Sequence, residues 1–383
     1  TKILEAKQDI LFQLGTQAFA NVKLDDAVSL FSQAIQLGSY NMEARNDAYF
    51  WRGESYYRMG EYENAISDYR TYLNNTRQRN TDMYALAYYN LGYSYFKLRD
   101  YSAALNRFRQ YVDLESNRQA ASLADAYNRI GDCLYQNRQF SLAEENYSRA
   151  AQLSPSAGDY SIYQKGFLLG LQKDYKGKIS AMDRLISEYP ESQYVDDALF
   201  EKGRSYVLLE NSSSAAQAFE KLIREFPQSS LARKAGIQLG LLYYNDNQPE
   251  KALAAYKQVI SNYPGSEEAK IALQDLKSVY IDLNDINAYA SYVNSIGGNI
   301  RLEVGEQDSL TYIAAEKLFM RGDNDGARRS LINYLQTFPE GAFSSNANFY
   351  LGSIAFAKKE FDEAIQRFKS VIARCFTNPV ADS

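Results

Sequence analysis

A repeat constrains this chain more than any other feature. One pattern recurs about ten times along 383 residues: a helix with an internal Gly, a short polar turn, a second helix with Ala-x-x-x-aromatic, then often Pro. The glycines are Gly15, Gly53, Gly92, Gly131, Gly166, Gly203, Gly240 and Gly352. Twelve residues after most of them stands an alanine: Ala27, Ala65, Ala104, Ala143, Ala215, Ala252 and Ala364. Four residues further on comes a large apolar side chain: Phe31, Tyr69, Phe108, Tyr147, Met182, Phe219, Tyr256 or Phe368. Five of the seven prolines, Pro155, Pro190, Pro227, Pro264 and Pro339, close a unit.

Each part has a physical role. A glycine inside a helix costs roughly 0.5–1 kcal/mol relative to alanine, so its recurrence at one place implies close approach by a second helix. The alanine of the second helix is expected to be the matching small residue. The large residue after it is expected to fill the space between neighbouring pairs, worth roughly 1.5–3 kcal/mol when fully buried. Proline ends the second helix. The chain is therefore expected to be all-α, a stack of about ten antiparallel helix pairs, beginning near residues 8, 46, 85, 124, 159, 196, 233, 270, 308 and 345.

Residue type by residue type, this pattern resembles the tetratricopeptide repeat, over essentially the whole chain. That resemblance implies a right-handed superhelical solenoid whose first helices line a concave groove. The step of 35–39 residues exceeds the minimal unit, and the extra residues fall in links such as Tyr189-Pro190-Glu191-Ser192, Phe226-Pro227-Gln228-Ser229 and Tyr263-Pro264-Gly265-Ser266. Such aromatic-Pro-x-Ser links are similar to those in tetratricopeptide proteins of bacterial envelopes, among them the lipoprotein of the outer-membrane barrel-assembly machine and the coordinator of the Tol–Pal system. The implied location is periplasmic or outer-membrane-associated, with the cytoplasm as the alternative.

The pattern also breaks. In the eighth unit Lys277 replaces the glycine and Tyr289 the alanine, and the aperiodic Gly297–Gly305 stretch follows. The expected organisation is an array over 1–269 (about seven repeats), a degenerate repeat and irregular link over 270–307 that is either ornament or hinge, and two further repeats over 308–383. In the fifth unit Lys178 occupies the alanine position and Gly170 adds a second small residue, a combination expected to bend the array locally. At the C-terminus no capping helix follows Ala364, Phe368 and Val371. The expectation is that the natural protein continues there, with end-to-end self-association through the uncapped end as the alternative.

Counting the glycine as position 8, positions 5, 9 and 12 of each first helix fall on one helical face. They supply the candidate groove residues Phe12, Phe50, Tyr57, Tyr89, Tyr93, Phe96, Asn128, Tyr135, Tyr163, Phe167, Phe200, Arg204, Tyr244, Tyr312 and Phe349. Rings of this kind supply contact area at low entropic cost, although many could instead pack against the next repeat. Asn128 with Arg129 is the nearest match to the groove of carboxylate-gripping tetratricopeptide modules, but neighbouring repeats offer Tyr and Phe, so that function is not carried over.

Composition narrows the function. Tyrosine occurs 33 times and histidine never, which removes the commonest general base and metal ligand. Cys133 and Cys375 are far apart and have no metal-ligand spacing; Cys133, beside Asp132, is expected to be a partly buried structural thiol. No catalytic, cofactor or metal site is expected. A net charge of -5 with interspersed signs disfavours nucleic acid, and no apolar run is long enough to span a membrane. The expected activity is a non-catalytic scaffold holding a protein or peptide partner in an aromatic groove. The alternative is a glycan-binding helical protein of a bacterial nutrient-uptake system, which would need Asp, Asn and Arg gathered beside two or three rings in one pocket.

Overall fold

The computed structural model describes residues 1–297 and 300–374. Among the described residues there are twenty α-helices in ten pairs and no strand, as the repeat predicts. The first helices are α1 (Lys2–Ala20), α3 (Met42–Met59), α5 (Asp82–Lys97), α7 (Ala121–Gln136), α9 (Asp159–Leu171), α11 (Val195–Leu208), α13 (Ser230–Asn245), α15 (Glu267–Asp282), α17 (Val304–Met320) and α19 (Ser344–Ala357). Their partners are α2 (Leu24–Gln36), α4 (Tyr62–Asn75), α6 (Tyr101–Leu114), α8 (Phe140–Leu153), α10 (Tyr175–Glu188), α12 (Ser212–Glu225), α14 (Pro249–Asn262), α16 (Ile286–Ile296), α18 (Asn324–Thr337) and α20 (Phe361–Arg374). Two compact units, Thr1–Asn211 and Ser212–Ser383, divide the chain inside the sixth pair. Within each unit every helix packs on its chain neighbour. Cys375 and the C-terminal residues expected to continue the array lie outside the described residues.

All ten turns inside the pairs close in the same way. The backbone N–H two or three residues past the end of the first helix donates five residues back, as in Lys23 to Ala18, Glu61 to Tyr56 and Glu360 to Ala355, each at 2.9 Å. This Schellman closure requires a left-handed residue just before that donor. Glycine meets the requirement in two turns, at Gly60 (φ +81°) and Gly322 (φ +84°). Elsewhere Val22, Arg99, Arg138, Lys173, Glu210, Asn247, Asn284 and Lys359 adopt φ of 55–64°. For an L-residue this conformation costs roughly 1–2 kcal/mol, and a β-branched side chain suits it worst, whereas Asn tolerates it. Val22 is 70% exposed and so contributes little to the core. Val22→Asn is therefore expected to stabilise the α1–α2 pair by about 1 kcal/mol. A rise in thermal midpoint by circular dichroism checks this; an unchanged or lower midpoint refutes it.

The internal glycines admit a large side chain of the second helix. An added Cβ would first meet the large residue sixteen positions on. It would lie 2.6 Å from Phe31 at Gly15, 2.9 Å from Phe108 at Gly92, 2.7 Å from Tyr147 at Gly131, 2.4 Å from Tyr256 at Gly240 and 2.6 Å from Phe368 at Gly352. The ring lies across the glycine of its own pair, and Tyr147 also meets Tyr160 of the next pair at 6.4 Å. Phe31 and Phe108 are 0% exposed, and Tyr147 and Tyr256 are 1% exposed. The alanines are fully buried as well, so both small residues are needed, but only the glycine admits the ring.

The fifth pair departs from the pattern for a single reason. Lys178, at the alanine position, is buried, and its ammonium pairs with Glu201 of α11, which also receives Arg204 at 3.1 Å. A Cβ on Gly170 would lie 2.8 Å from Lys178 Cδ. Gly170 thus makes room for the lysine stem on its way to Glu201.

The aromatic-Pro-x-Ser links also have a structural use. Ser266 accepts from the Ala269 N–H at 3.0 Å and Ser229 from the Leu231 N–H at 3.1 Å, each starting a first helix. The Tyr263 hydroxyl donates to the carbonyl of Pro227 in the preceding link at 2.8 Å, and Tyr189 donates in the same way to Pro155. These two tyrosines thus tie their links to the ones before them. In the degenerate eighth pair, Tyr289 is buried against Tyr280 at 6.1 Å, and Lys277 reaches Glu306 at 2.9 Å.

Candidate functional site

In the first unit the rings of α5, α7 and α9 meet along one surface. The Tyr89 hydroxyl of α5 donates to Asp125 of α7 at 2.8 Å, and Tyr93 donates to the same carboxylate. The two rings touch edge to face at 5.1 Å, and Tyr93 also contacts Phe108 at 5.2 Å. The Arg129 guanidinium lies 5.8 Å from the Phe96 ring centre and 5.0 Å from that of Tyr160, so it joins α5, α7 and α9. Tyr135 of α7 reaches Phe167 of α9 at 6.3 Å, and Tyr163 of α9 stacks on Tyr194 at 5.3 Å.

A buried polar centre lies beneath these rings. Asp132 Oδ1 accepts from the Tyr147 hydroxyl at 2.7 Å and from Tyr160 at 2.8 Å, while Oδ2 faces Arg129 Nη1 at 2.6 Å. Burial pushes the Asp132 carboxyl above its ordinary range, with Arg129 and the two hydroxyls pulling against that shift. Burial, reinforced by Asp125, holds the Tyr89 and Tyr93 phenols far above their usual range. Cys133 is 0% exposed, more deeply buried than expected from sequence, and burial together with Asp132 pushes its thiol up to about 12. At neutral pH this thiol carries its proton and is not a nucleophile.

The second unit has a similar tie across three first helices. The Tyr244 hydroxyl donates to Asp282, which also receives Lys317 at 2.8 Å and Arg321 at 2.9 Å. Burial works against ionisation of Asp282, but the hydrogen bonds from Lys317 and Tyr244 outweigh it and hold the carboxyl below its ordinary range. Further along, Glu316 accepts from Tyr312 at 2.7 Å and from Tyr350 at 3.0 Å.

Three of the candidate groove residues belong to the interior. Phe50 is 2% exposed among Trp51, Tyr69 and Tyr72, and Tyr312 is 3% exposed, stacked on Phe343 at 4.6 Å. Asn128 is buried and accepts from Ser161 at 2.9 Å. Phe50 is covered by its own pair, Tyr312 by Tyr334 of its pair and the following link, and Asn128 by the next pair, so none is available to a partner. Phe12, Tyr57, Tyr89, Tyr93, Phe96, Tyr135, Tyr163, Phe167, Phe200 and Phe349 are half-buried, with an edge or face accessible. Arg204 and Tyr244 are exposed.

The ring pattern alone left out the carboxylates Asp125 and Asp282, which fix the tyrosine tips. An available signal was their spacing: Asp125 follows Tyr89 by 36 residues and Asp282 follows Tyr244 by 38, about one repeat in each case. Among the described residues no helix is long and apolar enough to cross a membrane.

Comparison with known proteins places this geometry in context. Models described as tetratricopeptide repeat match residues 45–114, 89–158, 160–192 and 314–378, together more than half of the chain. A model described as outer membrane lipoprotein matches residues 195–274. The fold is similar to the C-terminal part of a TPR repeat-containing protein from Cytophaga hutchinsonii, at 20% identity and a TM-score of 0.57, covering 68% of this chain and 99% of that one. A tetratricopeptide repeat protein from Parabacteroides merdae aligns at 16% identity and a TM-score of 0.47, covering 72% of this chain and 99% of that one. No curated protein matches the sequence.

Proposed function

We infer, for a chain that belongs to the tetratricopeptide-repeat family, a non-catalytic scaffold that binds an extended peptide segment or partner surface along its first-helix rings. The observation that carries this reading is the ring surface from Tyr89 to Phe167. Its members are half-buried, spread over three successive repeats, and fixed in place by Asp125, Arg129 and one another. Rigid aromatic edges lose little entropy on binding, and their spread along several helices suits an elongated ligand. The match of residues 195–274 to an outer membrane lipoprotein family supports a place in the bacterial envelope, periplasmic or outer-membrane-associated.

Display selection of random peptides on the full chain tests this reading. The Tyr135→Ala/Phe167→Ala variant, with its helical content verified by circular dichroism, is expected to bind the selected peptides at least tenfold more weakly. Equal binding by both proteins, or a selection that yields no peptide, rejects the ring surface as the binding site.

A further inference from the structure

Cations of the first unit repeatedly lie between a ring and a carboxylate. Arg52 sits 5.5 Å from the Tyr49 ring centre and binds Asp68 at 2.7 Å. Arg58 sits 4.1 Å from that of Phe19 and reaches Glu54 at 3.4 Å. On the ring surface itself, Arg129 lies against Tyr160 and binds Asp132, while Lys178 lies 5.7 Å from the Phe167 centre and binds Glu201. Both halves of the arrangement favour a positive charge: the ring presents the negative face of its quadrupole, and the carboxylate supplies net charge.

One ring–carboxylate group on the same surface holds no such cation. Tyr163 of α9 stacks on Tyr194 with 17° between the ring planes, and Tyr160 meets Tyr194 at 5.9 Å. Asp197 of α11 stands beside this stack: burial raises the Tyr163 phenol, and Asp197, Glu201 and Asp196 add to the rise in that order. Tyr163, Tyr194 and Asp197 are all half-buried, so the group meets solvent. The cations around it are already committed. Arg204 is held by Glu201 at 3.1 Å, Lys202 by Asp183 at 2.5 Å, and Lys178 also goes to Glu201. Among the described residues Asp197 forms no ion pair, and burial, Asp196 and Glu201 all push its carboxyl up with no cation pulling back.

We propose that the segment bound along the ring surface is basic, and that one of its lysines or arginines seats its cation against the Tyr163–Tyr194 stack and pairs with Asp197. This rests on the reading of the ring surface as a peptide-binding face and names the chemistry of its ligand. Phe167 lies one helical turn from Tyr163 on α9, so a segment running along the rings passes Asp197. An acidic segment would bring like charge onto Asp197 and Asp196, and a neutral one would strip water from Asp197 and give it no partner. A cation from the ligand completes the arrangement that Arg129 and Lys178 complete from within the chain.

The experiment uses peptides selected by display on the full chain, measured by fluorescence anisotropy against wild type and variants whose helical content is verified by circular dichroism. The selected peptides are expected to share a lysine or arginine at a fixed place. Replacing that residue with methionine should weaken binding to wild type about tenfold, and should matter much less for Asp197→Asn, which has already lost the paired charge. Tyr163→Phe, which keeps the ring, should bind as wild type does, and Tyr163→Leu more weakly. Selected peptides with no shared cation overturn the proposal. So does a cation whose replacement costs the same in wild type and Asp197→Asn, or equal binding by Tyr163→Leu. In each of these cases loss of binding by Tyr135→Ala/Phe167→Ala leaves the ring surface standing as the binding site, whereas a selection that yields no peptide removes both readings.

Discussion

Replacing Asp132 with alanine is expected to destabilise the α7–α9 region by about 3–5 kcal/mol, the cost of breaking a buried ion pair from one side. The carboxylate is 9% exposed and holds three partners: Tyr147 at 2.7 Å, Tyr160 at 2.8 Å and Arg129 at 2.6 Å. Alanine leaves the guanidinium half-enclosed between the Phe96 and Tyr160 rings, with Asp125 as its remaining charge partner at 3.6 Å. It also strands two hydroxyls, each a further desolvation cost. The double variant Arg129→Met/Asp132→Leu should lie closer to wild type than Asp132→Ala does, because it removes both charges together. Stacked pairs need not unfold in one step, so the measurement is the opening free energy of α7–α9 by amide hydrogen exchange. A change below 1 kcal/mol for Asp132→Ala would show that this centre contributes little to the stack.

The second large effect concerns the internal glycines and depends on distance. At Gly240 an added Cβ would lie 2.4 Å from Tyr256 Cε1, and Tyr256, 1% exposed, has little room to move. Overpacking of this kind costs about 1–3 kcal/mol, against a helix-propensity gain of about 0.5–1 kcal/mol. Gly240→Ala is therefore expected to lower the thermal midpoint. At Gly53 the corresponding Cβ would be 3.3 Å from Asp68 and Tyr69, so the neighbours need give by only a few tenths of an ångström and the propensity gain offsets most of the cost. Gly53→Ala should be nearly neutral. If calorimetry finds the two variants equally destabilised, the close approach of the ring is not what fixes glycine at this position.

Much of this molecule was legible in the sequence because its information is local and repeated. A glycine costs the same in every helix, so its return at a fixed offset pointed to close packing, and all ten pairs begin within a few residues of the expected places. The irregular fifth pair was legible as an irregularity but not as a cause. Only the structure joins Gly170, Lys178 and Glu201, because the three lie on different helices and meet through the packing of α9, α10 and α11. Two small residues at a fixed offset suggest close packing, and the structure adds that the ring sixteen positions on lies over the glycine.

The candidate surface separates the two kinds of information further. Sequence periodicity placed Phe50, Tyr89, Asn128 and Tyr312 on the same helical face, and it was right about the helix. It could not weigh how closely the surrounding side chains cover that face, which leaves Tyr89 half-exposed and the other three buried. By itself the sequence determined the fold class, the number of pairs and the absence of histidine chemistry, since each follows from residue type and spacing. Burial and the carboxylates that hold the tyrosine tips were decided only in three dimensions, because they depend on distances between side chains far apart along the chain.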